Sequence, residues 1–223
     1  MQDLDISTYP ISTLITLAVL SLLPFAFMIM TSFVKISVVF SILRNALGLG
    51  SVPSGMIISA LATVLTLHVM QPVAHNILEA TRSVWQGHDS QKELSIEDWV
   101  QLFKQGKEPL VSFLTKHAHP EERALFTDLA RRSAHPDTRA DIRSDDFLVV
   151  LPAFMISELT EAFQIGFLIF LPFLVLDMIV ANVLLSLGMH MLSPTVISLP
   201  LKLLLFVVVN GWYVLARALM LSY

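Results

Sequence analysis

Five charged residues sit where the surrounding sequence is almost wholly apolar: Lys35, Glu158, Glu161, Asp177 and Lys202. A charge in apolar surroundings is costly, so such groups pair, bury against protein or line a water-filled path. Ser157, Glu158, Glu161 and Gln164 fall within two helical turns, at spacings that place most of them on one face. Asp177 lies roughly 160° round the same helix from Glu161 and points elsewhere. A hairpin turning near residue 191 brings Asp177 within about a turn of the level of Lys202. Within one chain Asp177 is then the better partner for Lys202, and Glu158 reaches a lysine only if neighbouring copies are staggered. Ordinary structural ion pairs and a functional charge site both fit this pattern.

A second cluster, Gly188-Met189-His190-Met191, falls where the long apolar run Leu151–Lys202 is interrupted. Methionine is unbranched and adaptable and offers no charge. Met189 and Met191 suit either filler in a buried loop or a ring of thioethers at a constriction that closes against ions and re-packs around a passing chain. His68 and His190 have no second ligand at metal spacing, so no metal site is expected. HExxH, GxSxG and Walker A motifs are absent, and Gly106-Lys107 is followed by Glu108. These absences argue against an enzyme, and no cofactor is implied.

The elements that must hold these residues are hydrophobic. The 223-residue chain is 55% hydrophobic and 14% charged, against about 25% charged in a typical soluble domain; its mean hydropathy is +0.71. Ten of the 14 Lys and Arg, Arg82 to Arg143, and thirteen of the 18 acids, Glu79 to Asp146, lie in one middle segment. Its slightly acidic balance indicates neither nucleic acid nor a polybasic lipid anchor. Without cysteine, disulfides and thiolate chemistry are excluded. Asp3 and Asp5, with no Lys or Arg beside them, do not make a secretory n-region, so the first apolar segment is expected to be retained.

The expected organisation is all-α, with kinked hydrophobic hairpins at 1–76 and 147–223 flanking a polar helical insert at 77–146. The first hairpin begins with a long helix from Ile11 to Leu43, kinked at Pro24 with Lys35 inside it, followed by the turn Gly48–Gly55. A helix from Met56 to about Ala74 follows, carrying His68 and Pro72. The insert reads as short helices, one starting at a capping-box-like Ser95-Ile96-Glu97-Asp98. Others begin at Pro109 and Pro120, placed as first-turn prolines, and Ala134–Arg143 reads as loop. Pro172 and Pro200 kink the second hairpin, whose last helix runs from Leu203 to Leu221. Lys35, Arg44 and Lys202 near the two hairpin turns place those turns in the cytoplasm, with the insert outside.

Several blocks resemble the export-gate subunit of type III secretion systems, FliP in flagella and SctR in injectisomes. They are Pro24-Phe25 through MTSFVKISVV to LRNALG, EPLVSFL (108–114), PAFMISELTEAFQIGF (152–167), LPFLVLDMIVANVLLSLGM (171–189) and ISLPLKLLLFVVVNGW (197–212). The likeness covers almost the whole chain except 86–104 and the loop after Ala134. It implies a staggered ring or helical oligomer of five protomers, wound with small hairpin (SctS/FliQ-like) and capping (SctT/FliR-like) subunits, beside a downstream SctU/FlhB-like subunit. The assembled core would be a portal for unfolded export substrates, in the inner membrane but largely on its periplasmic side. The family's methionine gasket maps onto Gly188, Met189, His190 and Met191, with His190 where flagellar members often have a third methionine. Its charged contacts between subunits fit Glu158 and Lys202. Flagellar members also commonly carry Asp where this chain has Asn210, and the N-terminus without a signal favours the injectisome branch. The competing reading is an ion or small-molecule transporter using Glu158, Asp177 and Lys202.

Overall fold

The computed structural model describes residues 11–87 and 96–223, all helix and connecting turn among the described residues. The helices are α1 (Ile11–Ile29), α2 (Phe33–Leu47), α3 (Gly55–Gly87), α4 (Ile96–His117), α5 (Pro120–Ser133), α6 (Phe147–Ser186), α7 (Pro194–Val208) and α8 (Gly211–Leu221). They belong to two compact units that do not follow chain order. One takes in the N-terminal segment through Thr31 together with Met70–Met155, and the other Ser32–Val69 with Ile156–Tyr223.

In the first unit, α3 runs through Pro72 and past the expected end near Ala74 to Gly87. The sequence turns more polar there, but the buried stripe continues at Met70, Val73, Thr81 and Val84, and it is this stripe that holds the helix. Pro109 does not start a helix; it lies inside α4. The partly or fully buried positions Leu102, Gly106, Pro109, Phe113 and His117 keep helical spacing across it. Gly106 lets α4 approach α3, because a β-carbon there would already lie 3.6 Å from Ile77 and 3.7 Å from Thr81. Pro120 does open α5, where its missing N–H is no loss. The 134–143 connection carries a 3₁₀ turn at Arg139–Asp141, held to α5 by Arg131 Nε and Nη2 donating to the Ile142 carbonyl at 3.3 and 3.0 Å. Phe113, Leu114, Val149, Val150, Ala153 and Phe154 form the core of this unit. The capping-box serine, Ser95, and the N-terminal acids Asp3 and Asp5 lie outside the described residues.

The second unit packs around α2. Ile36, Val39, Phe40, Leu43 and Leu47 are buried against Ala62, Ala162, Phe173, Phe206 and Leu219. The expected single helix from Ile11 to Leu43 is instead two: α1 passes through Pro24 and ends at Ile29, and α2 begins at Phe33. The break falls at Thr31-Ser32, where the Thr31 hydroxyl bonds back to the Phe27 carbonyl at 2.5 Å, a competitor for the helical backbone. α6 continues for 40 residues through Pro172.

The last helix also divides, with α7 and α8 bent by 60°. Asn210 sits at the break with φ 57°; asparagine is one of the few side chains that tolerate this left-handed conformation. Beside it, a β-carbon on Gly211 would fall well inside contact distance of the buried Phe206 ring. Trp212 meets the same ring edge-on at 5.3 Å. Two helices, Gly55–Arg82 within α3 and α6, are long and apolar enough to cross a membrane, and each bent pair, α1–α2 and α7–α8, passes the same test together.

Candidate functional site

α2 buries a lysine because Lys35 falls on the same face as Val39 and Leu43, four and eight residues on. Its side chain is fully enclosed, with Nζ 2.5 Å from Glu161 Oε2 and 3.7 Å from Glu158 Oε1. Glu158 and Glu161, one turn apart on α6, face it together. Tyr223 closes the cluster: its hydroxyl donates to Glu158 Oε2, and Lys35 Nζ lies 4.3 Å from its ring centroid. Burial, with the Glu158 carboxylate beside it, pushes the Tyr223 phenol far above its ordinary range, so it acts as a donor. Glu158 therefore reaches a lysine inside its own chain, contrary to the expectation that this requires staggered copies. The partner is Lys35, on a different hairpin, which the register of the second hairpin alone does not bring into view.

The second cluster joins α6, α7 and the end of α2. Lys202 Nζ donates to Asp177 Oδ2 at 2.6 Å and to the Ala46 carbonyl at 3.1 Å. Ser198, one turn before Lys202, donates to Asp177 Oδ1 at 2.5 Å. Ala46 lies in the last turn of α2, where carbonyls lack helical partners and a cation is favourable. The two clusters are 19 residues apart on α6, or about 28 Å at 1.5 Å per residue. Lys202 held at Asp177 is therefore out of reach of Glu158 in the same chain. Ser198 had a legible signal in its i,i+4 spacing to Lys202; Tyr223 and the Ala46 carbonyl had none.

The methionine loop links α6 to α7. α6 stops in a Schellman motif, with Met189 N–H donating to Leu184 O at 2.9 Å and Gly188 N–H to Leu185 O at 3.1 Å. Gly188 takes φ 71°, as the position requires. Ser193 and Pro194 then start α7. Between them Met189 is 43% exposed and Met191 99% exposed, and His190 is also exposed. A methionine this open makes almost no packing contact with its own chain. α6 is apolar round most of its circumference, and only 17% of its most apolar stretch is buried within the chain.

The FliP family model matches residues 16–219. The chain belongs to the FliP family. It is 44% identical over 214 residues to the Yop proteins translocation protein R of Yersinia pestis, covering 96% of both chains. Identity to the hypersensitivity response secretion protein HrcR of Ralstonia nicotianae is 40% over 213 residues, 95% of this chain and 97% of that one. The flagellar biosynthetic protein FliP of Pectobacterium carotovorum is 40% identical over 216 residues, 97% of this chain and 80% of the flagellar one.

Proposed function

We propose that this FliP-family chain is the pore-forming core subunit of a type III secretion export gate, on the injectisome side of the family. It acts without catalysis, as part of a conduit for unfolded protein substrates through the bacterial inner membrane. The observation that carries this reading is the 99% exposed Met191 on a loop set by helix stop and start signals, at the tip of apolar helices with little cover of their own. Large apolar surfaces rimmed by polar residues mark interfaces, and relatives named for translocation and secretion support protein substrates over small molecules.

Five copies, wound with SctS/FliQ-like and SctT/FliR-like subunits and followed by a SctU/FlhB-like subunit, supply the missing cover. The 40-residue α6 is about 60 Å long, twice the ~30 Å of a hydrocarbon core. That length favours a core carried largely on the periplasmic side, with the polar insert there too. Met189 and Met191 from each copy line the constriction, with His190 and Gly188 shaping the loop. Thioethers seal it without charge and yield to an extended chain of any sequence. Energy comes from other components.

The test is ion conductance of the assembled complex in planar bilayers. Met189→Ala with Met191→Ala should leave assembly intact and raise resting conductance at least several-fold. Unchanged conductance in an intact complex would remove the gasket.

A further inference from the structure

We propose that the loop Met189-His190-Met191 binds a soft monovalent metal ion, Cu(I) or Ag(I), through its two thioether sulfurs and the imidazole between them. The three donors lie in one turn of one chain, so the site stands independently of the export reading. Soft thioether ligands select Cu(I), and imidazole suits copper as well. Counted with imidazoles, thiolates and carboxylates alone, His190 has no company: among the described residues no group of three such side chains could hold a metal ion. The flanking thioethers change that count, and only for a soft ion.

The local backbone brings the triplet together. The Leu184 and Leu185 carbonyls fix its start through the Met189 and Gly188 N–H groups. Leu192 N–H donates back to the Met189 carbonyl at 3.4 Å, closing residues 189–192 into a turn, and Ser193 and Pro194 open α7 directly after it. On a helix, residues two apart point about 200° from each other. His68 and Met70 on α3 show the consequence, with Met70 buried and His68 exposed. In the 189–192 turn the chain folds back on itself, and that restriction is lifted.

Exposure and the surrounding chemistry supply the rest. Met191 is 99% and Met189 43% exposed, and His190 is exposed too. With little packing to surrender, unbranched methionine side chains swing about their single bonds to meet an ion. Apart from His190, residues 187–201 carry no ionisable side chain, so no carboxylate draws a hard divalent ion to the loop. The nearest charges along the chain, Asp177 and Lys202, are committed to each other. The chain has no cysteine, so no thiolate competes for the soft ion.

The experiment is calorimetric titration of the purified full-length protein in lipid nanodiscs with silver nitrate, in chloride-free buffer. A saturable step of one Ag(I) per chain is expected, and Zn(II) should not displace it. Met191→Leu, which keeps the bulk and removes the sulfur, should weaken binding by an order of magnitude. Met189→Leu with Met191→Leu should abolish the step, and His190→Gln should weaken it several-fold. Met56→Leu removes an 83% exposed thioether that has no second methionine or histidine beside it, and should change nothing. Absence of the step in the unaltered protein, its survival in the double leucine variant, its loss in Met56→Leu, or displacement of Ag(I) by Zn(II) would overturn the assignment.

Discussion

Lys202 is the side chain whose surroundings make the sharpest claims. It answers Asp177, the Ala46 carbonyl and, through Asp177, Ser198. Removing one partner of a fully buried pair costs ~3–5 kcal/mol; Asp177 is 36% exposed, so water takes up part of the loss. Lys202→Ala should therefore destabilise by about 2 kcal/mol, seen as a lower thermal midpoint of the purified protein; an unmoved midpoint would show the pair contributes nothing. Charge reversal separates pairing within a chain from pairing between copies. Asp177→Lys with Lys202→Asp should recover most of the midpoint lost by either change. Glu158→Lys with Lys202→Glu should recover none in the isolated chain, because the two sites lie about 28 Å apart along α6. Recovery by the second pair in the assembled complex, and not in the isolated chain, would place Lys202 against Glu158 of a neighbour.

At the scale of elements, the informative places are the breaks. Asn210→Gly should be nearly neutral, since glycine accepts φ 57° freely. Asn210→Val should cost about 1–2 kcal/mol through backbone strain alone. Gly211→Ala should cost about 1–3 kcal/mol, because the buried Phe206 ring must move. Chemical denaturation of the three variants checks the order; a tolerated Gly211→Ala would mean the α7–α8 junction is loosely packed. These breaks also show what the sequence conceals. Helix existence and the loop between α6 and α7 were readable from hydropathy, glycine and proline. The loop was readable because Gly188, Ser193 and Pro194 are local stop and start signals. The ends at Ile29 and Val208 were not, since they depend on a threonine choosing its own backbone and on a ring filling the space above a glycine. Pro109 misled in the opposite direction: it lies inside a helix, as do Pro24 and Pro172. Proline removes one helical hydrogen bond, and packing of the flanking turns carries the helix past it.

At the scale of the molecule, composition announced long apolar helices, and α6 and the Gly55–Arg82 stretch of α3 are long and apolar enough to cross a membrane. The Lys35, Glu158 and Lys202 charges are already enclosed by their own chain, which sequence order could not disclose because α2, α6 and the chain's last residues are far apart in it. Among the apolar surface that the single chain leaves open are Met191 and most of the apolar stretch of α6. The central claim is that sister copies cover that surface around a methionine-lined hole. Because the chain contains no cysteine, Met191→Cys provides a single reporter thiol. The deciding measurement is cross-linking of that variant with a short bis-maleimide in native membranes, alongside its partner subunits. The account predicts covalent species containing two copies of the chain joined through residue 191. A thiol that labels readily but yields only single copies would contradict it.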